Sequence, residues 1–513
     1  MNDTMIRNIV IVGGGTSGWM AAALFARSLG TVNYQITLVE SEDIGTVGVG
    51  EATIPPIVTY NNALGLDEDA FVRETQATFK LGIEFVNWGA VGSRYIHPFG
   101  SFGSDMDGAS FHDFWFRYWR AGGNPNFGLF NIETLAGLEN RFGRPARGST
   151  LPGVNYAFQF DAGLYAAFLR KYAEARGVVR KEGKIVRVDQ TAESGFVEAV
   201  VCEDGTRIVG DLFLDCSGFR GLLIEQTLKC GYDDWTKWLP CDRAAAVASE
   251  RPRLENGLLA PTTPFTRSTA HEAGWQWRVP LQHRVGNGHV FCSHFLSEDE
   301  ACSQLLSRLD GPALREPKIL RFTTGHRRRM WDKNVVALGL SSGFLEPLES
   351  TSIHLAQLGA SRLLSMMPKR GINPVIVEQY NNSMLFDYNN VKDFLIAHYK
   401  VTQREDTPFW RHCRHMEIPD SLKTRLEIYA EQGRAAVLPT ELFKESSWFA
   451  LLMGQGMAPR DYNPIADAIS LDDLKQRMAR LRTHIQERLK ALPQHDAFIQ
   501  QHCRAPEPEM AHG

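Results

Sequence analysis

The sequence predicts an α/β protein in which a Rossmann-like dinucleotide module carries a second, antiparallel sheet and a mostly helical C-terminal region. Three observations predict it. A glycine-rich turn joins an apolar strand to a helix within the first 24 residues. Short apolar strands recur far down the chain, near residues 36, 212 and 335. Alternating residues at 275–280 give way, from about 373, to helical periodicity. The expected organisation is one interleaved module over 1–370, with an inserted sheet built from about 90–150 and 240–320, and a helical cap over 371–513.

The first strand is the apolar, β-branched run Ile9-Val10-Ile11-Val12. Gly13, Gly15 and Gly18 complete GxGxxG before the helix opening Trp19–Leu24. Gly13 permits the tight turn, Gly15 lets backbone approach a pyrophosphate, and Gly18 lets helix and strand pack closely. The phosphates then sit at the helix N-terminus, where free N–H groups and the dipole attract anions. A second strand, Tyr34–Val39, ends at Glu40, 22 residues after Gly18, the distance at which a carboxylate holds a ribose hydroxyl. An acid there disfavours a 2′-phosphate, which leaves NAD and FAD.

Two later strands bear on that choice: Asp211–Asp215 running into Cys216-Ser217-Gly218, and Asn334–Leu338 running into Gly339–Gly343. A dinucleotide site assembled from distant strands is the FAD-binding, Rossmann-like module of the flavin monooxygenase type. No second GxGxxG follows a strand, so no separate NAD(P)H domain is expected; electrons come from outside, or NAD(P)H binds transiently.

Asp67-Glu68-Asp69 opens a helical pattern through Phe71, Val72, Thr75, Thr78 and Phe79, with acids favourably at its N-terminus. Lys80 is expected to close this helix, a position where lysine is most often a solvated charge, and Ile83 and Phe85 to lie on a following strand. Residues 90–130 are rich in rings, among them His97, Phe99, Phe114 and Trp115. They read as a core cluster or as a pocket for a flat aromatic ligand. Trp275-Gln276-Trp277-Arg278-Val279-Pro280 alternates, with both tryptophans on one face, and Gly286-Asn287-Gly288 reads as the hairpin turn that follows. Gly343–His354 is the densest polar stretch: Glu346 and Glu349 straddle Pro347, and Ser350 and Thr351 stand ready to cap an apolar helix, Ile353–Leu364. The free amides of that helix's first turn form a small anion site. Helices are then expected at Pro374–Tyr399, Asp420–Glu431 and Leu471–Leu492, ahead of a loose polar tail, Ala505–Gly513.

Lys plus Arg number 55 and Asp plus Glu 59, a net charge of −4, so the basic footprint of nucleic-acid binding is absent. The eight cysteines contain no CxxC pair, which argues against a zinc or iron–sulfur framework and for a reducing, cytoplasmic setting. No metal is expected. No apolar run reaches 18 residues and no signal-peptide h-region opens the chain, so neither a membrane span nor export is expected.

Taken together, these residues resemble the flavin-dependent tryptophan halogenase family, from about residue 7 to 465. The resemblance rests on the glycine turn, on Phe79-Lys80-Leu81-Gly82-Ile83 through Trp88, on the WxWx[IV]P strand Trp275–Pro280, and on Gly343–Ile353. The run Asp393-Phe394 through His398-Tyr399, with Asp406–Trp410, is also similar to the family. The resemblance implies a two-component enzyme. A separate reductase supplies FADH2 by diffusion, and oxygen and chloride or bromide yield hypohalous acid, which travels through an internal tunnel to a small aromatic substrate.

By the same resemblance, Lys80 matches the catalytic lysine, holding the halogen as hydrogen-bonded hypohalous acid or a haloamine. Glu349 matches the essential glutamate, which activates the electrophile or accepts the ring proton. Thr351 and Ser352 match the halide-binding amides, although position 352 is usually Gly. Gly13, Gly15, Thr16, Ser17, Gly18, Glu40, Ala52, Ile185, Leu340 and Ile353 are the implied FAD contacts. His97, Phe99, Ser350 and Phe443 are the implied substrate contacts, while Trp448 and Phe449 fit a pocket or a core equally. A homodimer is compatible with the resemblance.

The C-terminal region departs from it. Family members acting on free tryptophan carry a tyrosine pair and a glutamate that hold the amino acid's charges, ahead of a Phe-Trp stacking pair. Here Gly433–Leu438 lacks those groups, and Leu442-Phe443 falls where the stacking pair is expected. A buried ammonium and carboxylate need partners, so indole or an indole derivative is expected rather than free tryptophan. Two other readings stay open: a flavin-dependent aromatic hydroxylase whose product ignores halide, and a non-catalytic flavin-binding protein.

Overall fold

The computed structural model describes residues 5–42, 50–144 and 153–506. The run Asn8–Val12 forms a buried strand at the centre of a six-stranded sheet. It pairs in parallel with Gln35–Glu40 on one side and Leu212–Asp215 on the other. Val335–Ala337 joins beyond Leu212–Asp215, and Val179–Glu182 beyond Gln35–Glu40. Parallel neighbours need crossovers of a dozen or more residues, which is why this sheet draws on segments scattered from 8 to 337. The helix Thr16–Leu29 buries Trp19, Met20 and the small residues Ala21, Ala22 and Ala23.

The second sheet has seven strands, in the order Lys318–Arg321, Arg243–Ser249, Val285–Phe291, Gly274–Pro280, Phe265–His271, Gly82–Val86 and Arg94–Pro98. It is antiparallel except where Phe265–His271 meets Gly82–Val86. The segment from 99 to 144 supplies helices instead, Phe111–Arg120 and Ile132–Leu138, so the strand contribution expected from 90–150 narrows to Arg94–Pro98. The hairpin turn lies earlier than expected. The chain reverses over 281–284, closed by Leu281 N–H donating to the Arg284 carbonyl at 2.9 Å. Gly286, Asn287 and Gly288 are mid-strand. Gly288 is needed there because a Cβ would stand 2.0 Å from the Trp277 ring; close packing, not a turn, explains it.

A three-stranded sheet of Gly50–Ala52, Ala157–Asp161 and Thr78–Lys80 also forms. It corrects the expectation for Lys80. The helix spans only Glu68–Glu74, with the Asp67 carboxylate accepting from Ala70 N–H at 2.7 Å. Gln76 takes φ +55°, which breaks the helix, and Thr78–Lys80 is a strand pairing Phe79 with Phe158. Lys80 is therefore mid-fold and fully buried.

Helices dominate beyond 371: Pro374–Lys400, Asp420–Gln432, Glu445–Gly454, Leu471–Ala491 and His495–His502 among them. Leu474, Met478, Ile485 and Leu489 put one face of Leu471–Ala491 into the core. The loose tail expected over 505–513 falls largely outside the described residues. Among the described residues no helix is long and apolar enough to cross a membrane, no group of His, Cys, Asp and Glu is placed to hold a metal, and the eight cysteines are unpaired.

Candidate active site

The glycine turn is built to take a phosphate. Gly13 has φ +112°, and a Cβ on it would lie 2.3 Å from the Cys216 carbonyl oxygen. Gly18 presses as closely on Gly13, while a Cβ on Gly15 would meet nothing within 4 Å. Gly15 caps the helix with no side-chain hydrogen bond, so the first-turn amides face open space. The other expected cofactor residues lie on several segments, some of which touch this turn. Thr16 Oγ1 donates to the Ala162 carbonyl at 3.4 Å, directly after the strand that pairs with Ala52. Ser17 abuts Gly339, at the head of the short turn Gly339–Ser341 that carries Leu340. Ile353 is buried at the start of the helix Ser352–Ser365. Ile185 opens the strand Ile185–Gln190, just past Gly183, whose N–H donates to the Glu40 carbonyl at 2.8 Å. The Glu40 carboxylate is engaged by Arg180 Nε and approached by Arg170 at 3.8 Å. These residues fit a dinucleotide: open amides for the pyrophosphate, and a buttressed acid at the end of the second strand for a ribose.

A buried polar centre lies elsewhere. Lys80 Nζ donates to Ser350 Oγ at 2.8 Å and sits 5.3 Å from the centroid of the Phe99 ring. Burial pulls its ammonium down from the ordinary 10.5 to about 7, and the Glu349 charge opposes that only in part. Glu349, also fully buried, is held between two histidines. Its Oε2 is 2.9 Å from His97 Nδ1. Its Oε1 is 2.9 Å from His398 Nε2, within ion-pair range though off the line of a good hydrogen bond. Burial alone would push the carboxyl up, but the charge of His97 and the contacts from both histidines hold it at about 2. His398 Nδ1 donates to the Phe394 carbonyl at 2.9 Å. Its Nε2 can therefore present a proton to Glu349 only as imidazolium.

The turn that carries these groups differs from the expected cap. Pro347–Glu349 is a short 3₁₀ turn, Ser350 follows at φ +58°, and Thr351 occupies the N-cap of Ser352–Ser365 without a side-chain hydrogen bond. Ser350 Oγ is spent on Lys80, and Thr351 Oγ1 is buried without a partner. The left-handed conformation of a serine is costly, and here it aims the hydroxyl at Lys80 while leaving the amides after it uncommitted. Glu346 and Glu349 are both buried.

Aromatic rings close the centre. Phe443 stacks on Phe394 with centroids 3.8 Å apart and planes at 16°, and His97 lies 6.1 Å from Phe443. Trp448 meets Phe394 edge-on at 4.9 Å. Phe449 instead joins the core cluster of Phe102, His112, Trp115, Phe116 and Phe127. Beside that cluster is a cavity of about 300 Å³, lined in part by Phe102, His112, Leu438, Glu445 and Phe449. The structure places Lys80, His97, Phe99, Glu349, Ser350 and Phe443, expected from the family resemblance, as a chain of neighbours around one centre. Sequence reasoning missed His398 and Phe394 as participants. Their i, i+4 spacing on one helix face was the available signal.

Residues 8–471 match the profile of the tryptophan halogenase family. A tryptophan 6-halogenase from Streptomyces albogriseolus is 33% identical over 496 residues, covering 90% of this chain and 91% of its own. A tryptophan 7-halogenase from Lentzea aerocolonigenes is 33% identical over 540 residues, covering 97% and 99%. Among solved structures, a flavin-dependent halogenase from Xanthomonas campestris superimposes with a TM-score of 0.94 at 48% identity, covering 98% of this chain and 100% of that one. Another, from a Brevundimonas species, does so with a TM-score of 0.92 at 42% identity, covering 98% and 99%.

Proposed function

The chain belongs to the tryptophan halogenase family, and from that premise we propose that it halogenates indole or an indole derivative in preference to free tryptophan. The family is enzymatic and flavin-dependent, uses FAD as FADH2 with halide, and draws its reduced flavin from a separate reductase. Membership sets aside the reading as a non-catalytic flavin-binding protein and favours halogenation over hydroxylation.

Reduced FAD, when bound, would give two electrons to oxygen; halide gives the other two as it becomes the halogen of hypohalous acid, and the second oxygen atom leaves as water. Gly13, Gly15, Thr16, Ser17 and Gly18 would hold its pyrophosphate and Glu40 a ribose, with Ala52, Ile185, Leu340 and Ile353 as further contacts. The uncommitted amides of Thr351 and Ser352 hold halide. The Lys80 ammonium, oriented by Ser350, donates to the hypohalous oxygen and makes the halogen more electrophilic. Attack by the ring forms the carbon–halogen bond as the halogen–oxygen bond breaks. The departing oxygen takes a proton from Lys80 and leaves as water. Glu349, kept ionised by its histidines, then takes the ring proton. His97, Phe99 and Phe443 face the flat substrate.

The observation that carries the substrate reading is the state of the acids near the aromatic wall. Glu441 accepts from Arg425 and from Leu438 N–H, at 3.0 and 2.9 Å. Glu445 accepts from Ala435 N–H and Val437 N–H, at 2.9 and 3.3 Å. Both carboxylates are already engaged by this segment's own backbone, and Glu441 by Arg425 as well, which disfavours either as the holder of an α-ammonium. The test is mass spectrometry of indole and tryptophan incubated separately with FAD, a flavin reductase, NADH, oxygen and each halide. Halogenated indole forming faster than halogenated tryptophan is the expected result; the reverse order overturns the substrate reading. A cytoplasmic setting with a diffusing reductase completes this reading.

A further inference from the structure

A second carboxyl, Glu346, is buried to 1% exposure, three residues before Glu349. One of its oxygens, Oε2, accepts from Trp275 Nε1–H at 2.9 Å and also from the Tyr399 hydroxyl. The other, Oε1, is sealed from water without a partner. Burial pushes this carboxyl up to about 7, against the pull of its two donors. The neighbouring titratable groups are buried thiols, Cys241, Cys292 and Cys413, and Cys241 Sγ lies 3.7 Å from the Tyr399 oxygen. An apolar side chain would fill the volume without the cost of an unpartnered buried oxygen, so the acid's retention calls for a task.

The geometry names one. Three segments converge on a single oxygen. Trp275 belongs to the strand Gly274–Pro280. Tyr399 follows His398, which faces Glu349, near the end of Pro374–Lys400. Glu346 is followed directly by Pro347 and the 3₁₀ turn that ends in Glu349. Proline stiffens that link, so a displacement of Glu346 reaches Glu349 through two intervening residues. Loss of the Tyr399 contact frees the neighbouring His398 from the other side.

We propose that Glu346 is a positioning residue: by tying the Glu349 turn to Tyr399 and Trp275, it holds Glu349 in register with His97 and His398. The inference rests on the reading of Glu349 as the proton acceptor. Glu346→Gln keeps an oxygen that both donors can reach, and it should retain kcat within about threefold. Glu346→Leu removes the tie. It should lower kcat for indole halogenation by about tenfold or more, with KM within about twofold. Halogenated product per reduced flavin consumed should fall, and hypohalite captured by an added scavenger should rise. The Trp275 indole N–H resonance in a ¹H–¹⁵N spectrum should shift in the Leu variant and stay in place in the Gln variant.

Unchanged kcat in Glu346→Leu overturns the proposal. So does a loss that Glu346→Gln fails to restore, because the ionisable group rather than the acceptor would then be what matters. Where the Leu variant does not fold, Tyr399→Phe removes one tie and leaves the carboxyl in place; an unchanged kcat there overturns the proposal equally. Glu349→Gln runs alongside. If it stays active, the reading of Glu349 fails; if it is inactive while Glu346→Leu is fully active, only this inference fails.

Discussion

Lys80 and Ser350 are 270 residues apart in sequence and joined by a 2.8 Å hydrogen bond in a fully buried centre. The serine carries φ +58° to make it. A strained hydroxyl aimed at a desolvated ammonium is unusual as a stabilising device, since both partners incur a cost in reaching it. It is well suited to keeping one Nζ hydrogen engaged while the others point into the pocket.

Lys80→Ala should therefore abolish halogenation while reduced flavin is still oxidised by oxygen. The two are separated by measuring flavin absorbance and halogenated product in the same reaction. Product formation at the original rate would remove Lys80 from the chemistry. Ser350→Ala leaves the ammonium without its guide and should lower kcat by about tenfold, the scale of one charged hydrogen bond.

The depressed Lys80 value makes a two-sided pH prediction. If the ammonium is the acting form, kcat should decline as pH rises through about 7. Its contribution to stability runs the other way. The unfolded chain keeps this proton to about 10.5 and the folded chain releases it near 7. Between those values the unfolded state binds more protons, and stability rises with pH. Lys80→Met cannot titrate and should lose that rising limb in urea titrations at pH 7 and 10. Glu349, held at about 2, stays ionised throughout this window and contributes neither limb.

Much of this architecture is legible in the chain. The strand–glycine–helix unit reads correctly because apolar β-branched runs bounded by glycine behave alike in most contexts. The long C-terminal helices read correctly because their apolar residues repeat at helical spacing. Lys80 is misread because Phe71, Val72, Thr75, Thr78 and Phe79 satisfy a helical repeat, and nothing local announces that Gln76 turns left-handed. The Gly286–Gly288 stretch is misread because glycine demanded by an overlying Trp277 ring looks the same as glycine demanded by a turn. The Glu349 clamp is invisible for another reason. His97 and Glu349 are 252 residues apart, and a pairing that only the folded chain creates leaves no periodic trace.

The strand that presents Lys80 depends on its neighbour. Phe79 stacks on Phe142 with centroids 4.0 Å apart, meets Phe498 edge-on at 5.5 Å, and its N–H donates to His495 Nε2 at 3.2 Å. Phe79→Ala empties this fully buried site and should cost about 3–5 kcal/mol in denaturant unfolding. Phe79→Leu should cost less and keep some halogenation. If both variants match the parent in stability and rate, the strand is held by other contacts.

The Glu40 pairing bears on cofactor affinity. Its carboxylate is braced by Arg180, which also pairs with Glu42 and Glu182, and a Cβ on Gly14 would fall 1.4 Å from Glu40 Oε2. The acid thus borders the glycine turn, where a ribose hydroxyl can reach it. Glu40→Ala removes that acceptor and leaves Arg180 with two other carboxylates, so the local fold should survive. FAD affinity, followed by quenching of flavin fluorescence, should weaken by about tenfold or more, the scale of a hydrogen bond to a charged group. Glu40→Gln keeps an acceptor without the charge and should fall between the two. The order matters more than the size. If Gln and Ala bind FAD as tightly as the parent, Glu40 serves only to pair Arg180, and the ribose is held elsewhere.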